Sequence, residues 1–146
     1  MTHYSPAEVL AAALRASVAL DPAIQALGIE GTAVFAPRMP DQPNVAIAVR
    51  DTGSRGEGRY MRTGETVTKP TTQIRVRSTN HTEGWNIIYS LAKWVDSVKM
   101  LGVVMDNGSV IYLRAVHRVG DPLPLGPEDG GQRFHFTLNA SLTLEI

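Results

Sequence analysis

The chain has 146 residues, of which 43% are hydrophobic and 19% charged, the make-up of one ordinary globular domain able to bury a core. It contains no cysteine, which excludes disulfides, thiolate metal sites and a cysteine nucleophile. Lys+Arg and Asp+Glu balance at 14 each, so net charge provides no bulk attraction to nucleic acid or to a membrane surface.

Along the chain, Ser5-Pro6-Ala7-Glu8 forms a capping box with proline at the first helical position, since the serine hydroxyl and the glutamate satisfy free N–H groups reciprocally. An apolar stripe at Val9, Leu10, Ala13, Leu14, Ser17 and Val18 carries the helix, and Asp21-Pro22 ends it. Thr32–Ala36 reads as a short strand, and Pro37–Pro43, with three prolines, as a turn or edge loop. Val45–Arg50 is apolar on both faces, as in a central strand covered on two sides.

Asp51–Pro70 breaks the pattern with four glycines and with Arg55, Arg59, Arg62 and Lys69. A segment this long is a functional loop, a segment ordered by a partner, or an extended hairpin with a Gly-rich tip around Arg59-Tyr60-Met61-Arg62. Thr72–Ser78 alternates, with Ile74 and Val76 on one face and Arg75 and Arg77 on the other. Thr82 is the expected N-cap of a second helix. Trp85, Ile88, Ala92 and Val95 form its stripe, with Leu91 and Val98 flanking it; the helix runs to about Met100, and Gly102 closes it.

Asp106-Asn107-Gly108 is a turn signal. Val110–Val119 follows as a strand, with Ile111, Leu113, Ala115 and Val119 on the apolar face and Tyr112, Arg114 and Arg118 opposite. Residues 120–132, rich in Pro and Gly, read as a second loop. From Arg133 to Ile146, apolar residues at Phe134, Phe136, Leu138, Ala140, Leu142 and Leu144 alternate with polar ones. This period of two is the strongest pattern in the chain. The order α-β-β-(long loop)-β-α-β-β gives a single α+β domain over 1–146, a mainly antiparallel sheet with two main helices on one face.

The N-terminus lacks the basic region of a signal peptide, and the apolar runs fall short of the ~18–20 residues a membrane-crossing helix requires. The chain is expected inside a cell, with no membrane partner. Catalytic patterns are sparse. Gly53–Arg59 lacks the spacing of a phosphate loop, and no helix follows it. His117 and His135 would face each other only if their strands paired that way, and two histidines do not make a metal site. No catalytic residue, metal or cofactor is expected.

One constellation remains: Arg75, Arg77, Arg114, Arg118 and Arg133 all take polar strand positions. If those strands are neighbours, they form a basic face, fit either for a partner's carboxylates or for the wall of a nucleic-acid passage. Eleven of the fourteen basic residues are Arg, and Arg is enriched in protein interfaces where Lys is depleted.

From Lys69 onward the chain resembles a known family. Thr68-Lys69-Pro70-Thr71-Thr72-Gln73-Ile74-Arg75-Val76-Arg77-Ser78 is followed by one amphipathic helix and a strand. A loop follows with Leu125-Gly126-Pro127-Glu128-Asp129-Gly130-Gly131-Gln132-Arg133, then the strand Phe134–Leu144 with Asn139 inside it. This order resembles the tail terminator proteins of long-tailed bacteriophages, also called minor capsid or tail completion proteins. Pro127 stands where that group commonly has a basic residue, and Asp129 stands further on than its usual Asp. The resemblance implies a homohexameric ring that caps the tail tube, ends its polymerisation and joins the tail to the head connector. DNA would pass through the lumen without specific binding. The protein would sit in the virion at the head–tail interface after assembly in the host cytoplasm, with the tail tube and connector or stopper proteins as partners.

On this reading Arg55, Arg59, Tyr60, Arg62 and Lys69 are the expected contact with a neighbouring subunit or the tail tube. Arg75, Arg77, Arg114, Arg118 and Arg133 are the expected basic face or ring lining. The competing readings are a head-completion or stopper connector and, from another class, a small-ligand or nucleotide-binding α+β domain. The latter predicts an apolar pocket with convergent polar groups.

Overall fold

The structure is a computed structural model that describes residues 4–20, 33–36, 38–41, 44–59, 66–127 and 133–145. In chain order the elements are α1 (Pro6–Leu20), β1 (Val34–Phe35), β2 (Ala46–Arg59), β3 (Thr66–Ser78), α2 (His81–Ser97), β4 (Lys99–Val104), β5 (Val110–Pro127) and β6 (Phe134–Glu145). The strands form one six-stranded sheet in the order β1-β2-β3-β6-β5-β4. All neighbours are antiparallel except β1, which runs parallel to β2. This is the expected α+β fold, with both helices packed on the sheet.

The capping box forms as the sequence dictates. Glu8 N donates to Ser5 Oγ at 3.3 Å, and Ser5 N donates to Glu8 Oε2 at 3.1 Å. Asp51 on β2 adds a second acceptor at this helix end, taking the Ala7 N–H at 3.0 Å. A carboxylate there also suits the positive end of the helix dipole. The two helices are tied to each other by Trp94, whose indole N–H donates to Ser17 Oγ at 2.9 Å.

Ile47 and Val49 on β2, Ile74 and Val76 on β3, and Phe136, Leu138, Ala140 and Leu142 on β6 are buried in one cluster with Leu10, Leu14, Ile88, Leu91 and Val95 of the helices. Residues 46–49 are buried on both faces of the sheet, as their unbroken apolar run predicts. The segment after them forms the arms of an extended hairpin, with Arg55 opposite Lys69 and Arg59 opposite Thr66.

Several expectations give way to the structure. Asn80, not Thr82, caps α2, its side chain accepting from Glu83 N. The helix ends at Ser97, five residues before Gly102, and Lys99–Val104 forms the edge strand β4. The buried stripe of α2 keeps Ile88, Ala92 and Val95 with the flanking Leu91 but adds Gly84, Ile87 and Trp94, while Trp85 is 36% exposed.

The second loop expected over 120–132 is strand as far as Pro127, and 128–132 lie outside the described residues. Proline is tolerated here because β4 covers β5 only over Val110–Ala115, leaving an open edge beyond. The ladder to β6 shifts register between Val119 and Leu123 and between Pro124 and Gly126. Gly120 and Gly126 take positive φ at these bulges, a conformation that glycine adopts without strain.

Gly84 sets how closely α2 approaches β6. A Cβ there would overlap the Phe136 ring and stand 3.1 Å from Ser78 Cβ. Alanine normally gains ~1 kcal/mol over glycine within a helix. Here Gly84→Ala is expected to lower stability by about 1–3 kcal/mol, the range for overpacking a core. Urea unfolding followed by circular dichroism checks the sign, and a stabilised variant would refute the contact.

Candidate functional site

The sheet face opposite the helices carries the arginines. On β3, Arg75 pairs with Ala48 of β2 and Thr137 of β6, and Arg77 pairs with Ala46 and His135. Their side chains share that face because strand residues two apart point the same way. Arg50 follows on β2, opposite Gln73. Arg133, just before β6, and Arg38, in the Pro-rich segment, complete the set. Together with Met39, Asp41, Ala48 and His135 these arginines line a concavity of ≈ 560 Å³. The small side chain of Ala48 beside Arg75 leaves the depression open.

The concavity has a fixed rim. Arg77 is only 4% exposed, yet it carries a full charge. Its Nε donates to the Asn44 carbonyl at 3.3 Å and its Nη2 to the Asp41 carbonyl at 3.2 Å. Arg133 donates from Nη1 to the same Asp41 carbonyl at 2.8 Å, and from Nη2 to Asp41 Oδ1 at 3.1 Å. Two guanidiniums thus hold Asp41, and one of them Asn44, across the strands. Arg75 reaches Gln73 Oε1 from Nη2 at 3.5 Å, at the edge of hydrogen-bonding range, and its Nε is buried with no hydrogen-bond partner among the described residues.

The five arginines expected on one face do not stay together. Arg75, Arg77 and Arg133 converge. Arg118 lies across the sheet on the helix side, opposite Ala140, with Nη2 3.3 Å from Asp96 Oδ2 of α2. Arg114 falls in the irregularity between Leu113 and Ala115 that reverses the alternation of β5, and it is not among the lining residues. Arg38 and Arg50 are the members the sequence reading missed. Arg50 was legible as the next polar position after Ala46 and Ala48, whereas Arg38 in its proline loop offered no periodic signal.

Of the expected contact residues, Arg55, Arg59 and Lys69 lie on the β2–β3 arms, and Tyr60 and Arg62 lie outside the described residues. His117 is opposite Ser141 and His135 opposite Arg77, so the two histidines do not face each other.

A second concavity of ≈ 530 Å³ lies between α1 and β4, lined by Ala12, Ala13, Ala16, Ser17 and residues 101–104. Its one side-chain hydroxyl, on Ser17, already accepts from Trp94. It lacks the convergent polar side chains that a nucleotide or metabolite pocket requires.

A family model described as bacteriophage tail terminator protein matches residues 21–146. The chain belongs to that family. The match supports a structural role in the phage tail. Among solved structures, the chain resembles one from the virion of a native gene transfer agent (GTA) particle. The TM-score is 0.55 with 18% identity, over 99% of this chain and 100% of that one, a likeness of fold. Among curated proteins none matches.

In this tail terminator family member the rim depends on Arg77. Arg77→Ala removes the donor to the Asn44 carbonyl and leaves the Asp41 carbonyl to Arg133 alone, and is expected to cost about 1.5–3 kcal/mol, the scale for hydrogen bonds to a charged group. Asp96→Asn, which breaks the half-exposed pair with Arg118, is expected to cost under ~1 kcal/mol. Chemical denaturation of both variants checks the order, and equal losses would show that Arg77 does not hold the rim.

Proposed function

We propose that the protein is a ring-forming tail terminator. Six copies cap the finished tail tube, stop its polymerisation and present their other surface to the head connector, with DNA passing through the lumen. The family match supports the tail role. The observation that carries the ring is a sheet ending in two unlike edges. One edge is β4, where Met100 and Val104 are each 67% exposed. At the other, β1 pairs with β2 only at Ile47 and Ala48, so beyond Val49 the outer edge of β2 has no strand partner among the described residues.

Unlike edges favour head-to-tail contact between copies, and head-to-tail contact closes into a ring when the rotation per subunit divides a full turn. Exposed apolar residues along β4 and β5, including Tyr112, Val119, Leu123 and Leu125, provide surface whose burial drives association.

Light scattering after size exclusion tests this reading. The expected species has about six times the 15.8 kDa of the chain, either alone or on purified tail tubes. A monomer under both conditions overturns the ring.

The β2–β3 hairpin is the proposed contact with the neighbouring subunit or tail tube, through Arg55, Arg59, Tyr60, Arg62 and Lys69. Replacing Arg55, Arg59 and Arg62 together by Ala is expected to leave the thermal unfolding of the isolated chain unchanged while blocking ring formation or tail joining. Normal tail length and infectivity with the triple variant would remove the hairpin from the interface.

A further inference from the structure

We propose that the arginine-lined concavity is a receptor for carboxylates, and that its occupant is an acidic segment of a protein partner. Arg38, Arg50, Arg75, Arg77 and Arg133 surround it with His135, while Asp41 is the one acidic residue in the lining among the described residues. The chain as a whole carries a net charge of +0, so this concentration of cations is local. Five guanidiniums around ≈ 560 Å³ repel one another, and an anion seated among them relieves that repulsion.

The geometry favours carboxylates over a nucleic-acid backbone. Arg75, Arg77 and Arg133 are half-buried or buried, Arg38 and Arg50 are exposed beside them, and all five gather around one concavity. A backbone that presents a phosphate every few ångströms is instead matched by a stripe of cations along an open groove. Among the described residues no aromatic side chain lines the site, so stacked bases find no platform there. All the lining cations other than His135 are Arg, whose planar fork pairs with both oxygens of a carboxylate.

The site already displays this chemistry. Arg133 holds the Asp41 carboxylate at 3.1 Å, although that side chain is 84% exposed. Arg75 brings a buried Nε that has no hydrogen-bond partner among the described residues. An incoming carboxylate would extend the Arg133–Asp41 pattern to Arg75, Arg50 and Arg38.

The proposal stands apart from ring closure, because binding is measured on the protein in whatever assembly it adopts. The probe is a fluorescein-labelled hexaglutamate peptide followed by anisotropy. A 20-base-pair DNA duplex serves as the competing ligand. Arg38 and Arg50 are exposed, so the double reversal R38E/R50E is expected to fold, with circular dichroism as the check; should it not, R50Q alone serves.

The wild-type protein is expected to bind the peptide, and R38E/R50E to weaken it by about tenfold or more. R118E, on the opposite face, is expected to leave binding unchanged. Equal loss in R118E would reduce the effect to bulk charge and overturn the site. Duplex DNA binding more tightly than the peptide, with loss in R38E/R50E, would assign the face to nucleic acid. A variant that altered only assembly size, with no peptide bound by wild type, would assign it to a second copy. A protein that forms the ring but ignores the peptide defeats this proposal and leaves the terminator reading intact.

Discussion

The pairing of β3 with β6 joins the β2–β3 hairpin to the β4–β5–β6 meander, and its register determines what each face of the sheet can be. The ladder runs from Val67 opposite Glu145 to Ser78 opposite Phe134. On the helix side it sets Ile74 against Leu138 and Val76 against Phe136. On the other it sets Arg75 against Thr137 and Arg77 against His135. A slip of one residue would exchange these faces and drive guanidiniums under α1 and α2. The penalty is an unpaired buried charge, several kcal/mol per ion, so the arginines themselves oppose the wrong register. Thr72 reinforces the right one, its hydroxyl donating to the Ala140 carbonyl at 3.3 Å.

The same ladder explains why the second face is not merely solvated. Arg77 is buried, and the partners that satisfy it are the carbonyls of Asp41 and Asn44. These backbone dipoles spread part of its charge over the segment. Covering Arg77 in this way both anchors Asp41 and Asn44 and leaves an arginine-lined hollow beside it. Stability and site share one set of bonds.

How much of this the sequence disclosed follows from which features are periodic. The alternation of β6 predicts its buried face residue by residue, and Ser5 and Glu8 announce the start of α1. Arg75 and Arg77 were visible as outward positions of β3. That Arg77 is nevertheless buried depends on a loop crossing it, and a loop has no period to detect. Arg118 defeats the simple count because the irregularity at Leu113–Ala115 reverses the alternation of the β5 residues that follow it, up to the next change of parity between Pro124 and Gly126. Its guanidinium ends beside Asp96 on the helix side. The edge strand β4 was hidden because Lys99–Val104 continues the apolar character of α2. The break is made by Val98, whose extended backbone caps the helix, and by Met100, with a φ of 48°. The shift of the α2 stripe toward Gly84 follows from the bulk of Phe136, a pairwise fit that the helical period alone does not encode.

The distribution of exposed groups separates two physical tasks. Apolar side chains outside the core gather on β4 and β5, at Met100, Val104, Tyr112, Val119, Leu123 and Leu125. The cations of the concavity gather on β2, β3, the start of β6 and at Arg38 before β2. An apolar partner surface placed over the arginines would have to strip water from charges without replacing it, which costs more than the contact returns. The same surface laid along β4 and β5 meets no such cost. Burial along that side can therefore supply affinity between copies. On the proposed reading the charged hollow would discriminate among partners and orient them, since complementary charge governs specificity and encounter more than raw affinity. A subunit that joins its own copies and meets unlike neighbours, as proposed above, requires both kinds of surface, kept apart. The β3–β6 register keeps them apart here by fixing which side chains reach each face.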